Sequence, residues 1–125
     1  MNRNYTPKQI EKYKRQKYIS ALEKCTKNLF KLFRSEKTTL DSYKNKFKEI
    51  KNDLDKLDEI RLDGEYLKKT KEYIELLYKQ TILNEEFSQK EFNNLKNSEL
   101  SNLNRLQKMK NKTKYSKNKH KNNFF

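Results

Sequence analysis

The chain has one glycine, one proline, one cysteine and no tryptophan. Folds built of strands and tight turns need Gly, Asn-Gly or Pro at short intervals, and Gly64 and Pro7 alone cannot supply them. An all-α chain is the consequence. The lone Cys25 excludes an intramolecular disulfide and fits a reducing compartment. No run approaches the roughly 18 apolar residues of a membrane span, and the N-terminus lacks the apolar stretch of a secretory signal. An intracellular protein is expected, with membrane binding disfavoured. Hydrophobic residues make up only 32% of the sequence, so any core is narrow and depends on regular placement of its members.

What the chain has in excess is positive charge, and the excess lies at the ends. Thirty-one Lys/Arg against 17 Asp/Glu give a net charge of +14. Residues 1–34 hold ten cations and two acids, residues 105–125 hold eight cations and no acid, and the segment between holds 13 and 15. Lys outnumbers Arg 26 to 5, a bias that AT-rich coding imposes on any protein. That bias does not remove carboxylates from two ends while keeping them in the middle. Clustered lysines repel one another and gain most when a phosphate surface neutralises them, so RNA or another polyanion is the expected partner.

Thr6-Pro7-Lys8-Gln9 opens a first helix, with Thr6 as N-cap, Pro7 in the first turn and Gln9 as capping-box partner. Ile10, Tyr13, Tyr18, Leu22, Cys25, Leu29 and Leu32 follow helical spacing to a stop near Arg34, which bounds a basic amphipathic helix over 7–34 behind an arm of 1–6. Next, Leu40, Tyr43, Phe47, Ile50, Leu54 and Leu57 are spaced 3, 4, 3, 4, 3, a heptad seam for a partner helix. Thr38 or Thr39 caps its start, and Gly64 is expected as its left-handed C′ residue. Fewer than three heptads make an isolated parallel dimer marginal, so an antiparallel hairpin within the chain is favoured. Leu67, Ile74 and Leu77 continue the seam on a third helix. Capping signatures at Asn84-Glu85-Glu86 and at Ser88 to Glu91 predict a break. The expected coiled-coil-like helices are 40–62, 65–83 and 88–110, as a helical hairpin or open three-helix bundle. Residues 111–125 read as a disordered Lys/Asn-rich tail.

Catalysis finds no constellation. His120 lies in the charged tail away from any carboxylate, and Cys25 shares an apolar face with Leu22 and Leu29, where a thiol is inert. No Cys/His spacing makes a zinc site, and a slim bundle has no room for a substrate pocket. No enzyme, no cofactor, no metal and no small-molecule substrate are expected. The expected nucleic-acid contacts are Lys12, Lys14, Arg15 and Lys17 on the first helix and Lys108, Lys110, Lys112, Lys114, Lys117, Lys119 and Lys121 toward the end. The first cluster continues through Lys24, Lys27, Lys31 and Arg34. Tyr115, Phe124 and Phe125 add rings that either stack on bases or anchor in a protein groove.

Arg15-Gln16-Lys17-Tyr18-Ile19-Ser20-Ala21-Leu22 and Met109-Lys110-Asn111-Lys112-Thr113-Lys114 resemble segments of small basic nucleolar proteins of ribosomal RNA processing. The resemblance covers these two short segments and departs from that pattern in lacking a Gly-Gln-Pro element in the tail. It implies a role in ribosome biogenesis and a nuclear or nucleolar location, with the cytoplasm as the other expectation. Two functions stand on this sequence. One is a non-catalytic RNA-associated factor that grips phosphate with both ends and a helical protein partner with its middle. The other is a coiled-coil scaffold or adaptor subunit with no direct nucleic-acid role.

Overall fold

The computed structural model describes the backbone of residues 6–122 and the side chains of residues 6–112. Within them the chain forms four helices, α1 (Pro7–Arg34), α2 (Leu40–Asp55), α3 (Glu65–Thr81) and α4 (Gln89–Asn122), and no strand. The arm expected over 1–6, apart from Thr6, lies outside the described residues, as do the side chains of the expected tail from residue 113 onward.

α1, α2 and α4 start where side-chain oxygens take up orphan N–H groups. Thr6 Oγ1 accepts from the Gln9 N–H at 3.2 Å and Gln9 Oε1 accepts from the Thr6 N–H at 3.0 Å, the reciprocal cap expected for α1. Thr39 and Ser42 make the same exchange at the start of α2. Ser88 Oγ accepts from the Glu91 N–H at 3.3 Å at the start of α4, so the break expected between the third and fourth helices is present.

α2 ends at Asp55, seven residues short of the expected 62. Its last turn holds Asp53 and Asp55 and no cation, which sets negative charge against the negative end of the helix dipole. Beyond it Ile60 and Leu62 pack inward on the core while Arg61 between them is exposed, the alternation of an extended segment. Gly64 accordingly serves a different element from the one expected: it is the N-cap of α3, with φ +96°, rather than the C′ residue of α2.

The helices alternate in direction. Phe33 at the end of α1 stacks against Tyr43 near the start of α2 (5.4 Å) and Phe92 near the start of α4 (6.1 Å), and Tyr43 meets Phe92 at 4.8 Å. α2 and α3 run antiparallel, as expected, with rungs at Tyr43–Thr81 (2.8 Å), Phe47–Tyr78 (5.1 Å between ring centroids) and Lys51–Glu75 (3.1 Å). These bulky rungs are side-chain contacts. The close backbone packing is α1 on each of α2, α3 and α4, and α3 on α4. The central element is therefore α1, whose Tyr18, Leu22, Cys25, Leu29 and Phe33 enter the same core as the α2–α3 seam. Leaving that stripe in water would forfeit about 1.5–3 kcal/mol for each large apolar side chain.

Candidate nucleic-acid interface

Burial of one face of α1 decides where its charge points. Leu22, Cys25 and Leu29 have no exposed surface, and Lys24, Lys27 and Lys31 each follow one of them by two residues. Two residues are about 200° around a helix, so the lysines are turned to solvent on the opposite side. Arg34 continues the row. Among the described residues none of these four cations has an acidic partner. The offset of two was present in the sequence, yet the row stood only as a continuation of the first cluster.

The first expected cluster is divided by the fold. From Thr6 to Lys14 every residue is exposed. Among the described residues Lys12 makes no ion pair, and Lys17 lies over the Tyr13 ring at 5.9 Å. Lys14 meets Asp58 at 3.1 Å, and Arg15 donates to the Arg61 carbonyl at 3.0 Å and meets Asp63 at 3.4 Å. Both cations thus clasp the α2–α3 connection. Such exposed pairs contribute at most about 1 kcal/mol and exchange readily for a phosphate.

The second expected cluster does not share a face either. Lys110 pairs with Glu23 of α1 across the bundle. That hydrogen bond holds the Lys110 ammonium above its ordinary value, against the opposing pull of burial. Lys108 and Lys112 are exposed on the opposite side of α4, in line with Arg105. The side chains of Lys114, Lys117, Lys119 and Lys121, with those of Tyr115, His120, Phe124 and Phe125, lie outside the described residues.

Between α1 and α4 runs an open groove of about 620 Å³. Phe30, Leu103 and Leu106 give it apolar wall, Tyr66 of α3 closes one side, and Lys24, Lys27 and the Glu23–Lys110 pair stand at its edge. Asn104 and Gln107 add neutral amides. Periodicity alone did not reveal this groove, because its lining comes from three helices.

The residues expected to meet a partner helix are mostly the protein's own core. Tyr43, Phe47, Ile50, Leu54, Ile74 and Leu77 are buried, and Leu40, Leu57 and Leu67 are partly so. A partner helix has no access to them, because α1 and α4 complete their packing. Exposed apolar side chains lie elsewhere, at Ile10 and Tyr13 on α1 and at Leu76 (55% exposed) and Leu83 (64%) on and just after α3. Cys25 is fully buried and its thiol is pushed up to about 12, chiefly by desolvation. Among the described residues no group of His, Cys, Asp and Glu converges as a metal site, and no helix is long and apolar enough to cross a membrane.

Comparison with known proteins finds no matching family, no similar curated protein and no similar solved structure.

Proposed function

We propose that this protein is a non-catalytic helical RNA-associated factor, of ribonucleoprotein or ribosome-assembly type, working in the nucleus or nucleolus or else in the cytoplasm. One observation carries the reading. Asp55, Asp58, Glu59, Asp63, Glu65 and Glu75 of the α2–α3 half are engaged in ion pairs with Lys14, Arg15, Lys51, Lys69 and Lys71, while Lys24, Lys27, Lys31 and Arg34 of α1 stay unpaired among the described residues. A row of uncompensated cations on a rigid helix gains free energy from phosphate by releasing its condensed counterions. Lys12 and Lys17 lie along the same helix, and the cations of residues 108–121 add a second cluster on one scaffold. Base discrimination is weak in this reading, because Lys is a point charge and the bidentate Arg–guanine contact needs arginines that the chain mostly lacks.

Fluorescence anisotropy with a labelled RNA hairpin across a salt series tests it. If about six or more phosphates are engaged, affinity falls by about three orders of magnitude or more between about 50 and 200 mM salt. Deleting residues 108–125 should weaken binding and flatten that slope while the helix signal of the rest persists. Equal affinity before and after deletion refutes the role of the C-terminal cluster. No measurable RNA binding at low salt refutes the function itself.

A second reading, a scaffold or adaptor subunit, is favoured by one separate feature. Leu76 and Leu83 line a shallow surface with Leu62 and the stem of Lys79, the kind of apolar patch a helical protein partner covers. Protein association there is insensitive to salt, which separates it from the first reading.

A further inference from the structure

We propose that the groove between α1 and α4 seats a single unstacked nucleotide of the RNA, base inward and phosphates on the rim. This rests on the RNA-binding reading and deepens it by naming what part of the RNA is held.

Three features of the groove fit that ligand together. Its inner wall is apolar and aromatic, with Phe30 from α1 and Tyr66 from α3 set against Leu103 and Leu106 of α4. A flat heterocycle removes such surface from water and stacks on rings, whichever base it is. Its volume, about 620 Å³, is in the range of small-ligand clefts. Asn104 and Gln107 are exposed amides on the α4 side, able to donate to or accept from a base edge without charge.

The rim supplies the phosphate chemistry. Lys24 and Lys27 stand there without acidic partners among the described residues, and Lys31 and Arg34 continue the row past the end of the groove. From Lys24 to Arg34 the row extends about 15 Å along the helix, long enough to follow a strand that enters and leaves the groove. A free mononucleotide would leave the outer half of that row unused, so the polymer is the better match. A phosphate on Lys110 competes with Glu23 for its ammonium, so seating the strand opens the Glu23–Lys110 pair. An intact duplex keeps its bases stacked and touches only the rim. The fitting targets are therefore loops, bulges and single strands.

The test uses the full chain with three probes: a single-stranded oligoribonucleotide, a blunt RNA duplex of the same length, and AMP. Tyr66→Ala removes a ring from the groove without changing charge. It should weaken the single strand about tenfold, leave its salt slope unaltered and leave duplex binding alone. Gln107→Trp fills the groove from an exposed position and should do the same, so it decides the matter if Tyr66→Ala fails to fold. Steep salt-dependent RNA binding that neither folded variant changes, or duplex bound as well as single strand, overturns the groove and leaves the RNA reading standing. AMP competing at the oligonucleotide's own concentration overturns the polymer as ligand. Absence of RNA binding by the unaltered chain overturns both.

Discussion

Lys51 provides the sharpest test of how this bundle is held together. Its side chain is only 8% exposed, with Nζ 2.7 and 2.9 Å from the two Asp55 oxygens and 3.1 Å from Glu75 Oε1. The Tyr78 ring lies 5.4 Å from the ammonium. The two carboxylates are about half exposed, so the burial falls on the cation alone. That asymmetry predicts unequal outcomes. Lys51→Met keeps the aliphatic stem and frees Asp55 and Glu75 to rehydrate, so stability should change by no more than about 1 kcal/mol. Removing both acids, as Asp55→Asn with Glu75→Gln, leaves a buried ammonium with no counter-charge and should cost about 3 kcal/mol. Urea unfolding followed by the helix signal measures both.

The pH dependence supplies an independent check. Burial pulls the Lys51 ammonium down, but the hydrogen bonds to Asp55 and Glu75 outweigh it, and the group is held above its ordinary 10.5. A cation raised in the folded state contributes stability that is full below 10.5 and lost as pH rises through the folded value. The unaltered chain should therefore show no Lys51-linked change across the neutral range. In the doubly neutralised variant burial is the largest influence left, opposed only by neutral amide oxygens and the Tyr78 ring, so the group falls below its ordinary value. Its stability should then rise as pH is taken from neutral toward 10.5. If Lys51→Met destabilises as much as the double variant, or the double variant shows no alkaline gain, Lys51 is not a desolvated charge held by those two acids.

Leu54 is 1% exposed in the core, and Leu54→Ala should lose about 2–5 kcal/mol in urea unfolding; an unchanged midpoint would mean α2 is not packed there. Gly64 adopts φ +96°, where a side chain is strained although a Cβ would meet nothing within 4 Å. Gly64→Ala should therefore cost about 1–3 kcal/mol from backbone strain alone, read from the same unfolding curves. Cys25 should not react with a thiol reagent at pH 8 in the native state and should react at once in denaturant, because burial and a thiol pushed up to about 12 leave no thiolate.

Much of the fold was legible because it rests on short-range rules. The Thr6–Gln9 cap, the start at Leu40 and the break before Gln89 follow from residues within four positions of one another. The end of α2 was missed for a reason of the same range. Leu57, Ile60 and Leu62 look like a continuing apolar pattern, but Asp53, Asp55 and Asp58 oppose the helix dipole and the segment extends instead. Assembly was less legible. A heptad seam says that a helix wants a partner, and α1 competes for that surface with a stripe just as apolar. Lys51 was only partly legible: Asp55 four residues on offers it a partner in sequence, but the approach of Glu75 from α3, which accompanies its burial, comes from another helix.

The candidate interface follows from the same packing. Three helices against α1 leave it one solvent side, and Leu22, Cys25 and Leu29 fix which side that is. The cations two residues on from each then have no choice of direction, and no carboxylate of α2 or α3 is placed to reach them. On an isolated amphipathic helix the same lysines would sample many orientations, and ordering them on a phosphate chain would carry an entropy penalty for each rotamer-rich side chain and for the backbone itself. Here the hydrophobic core has already fixed the backbone, so only side-chain freedom remains to be lost on binding. The apolar stripe and the cationic row are thus one design on a single helix: burial of the first orients the second.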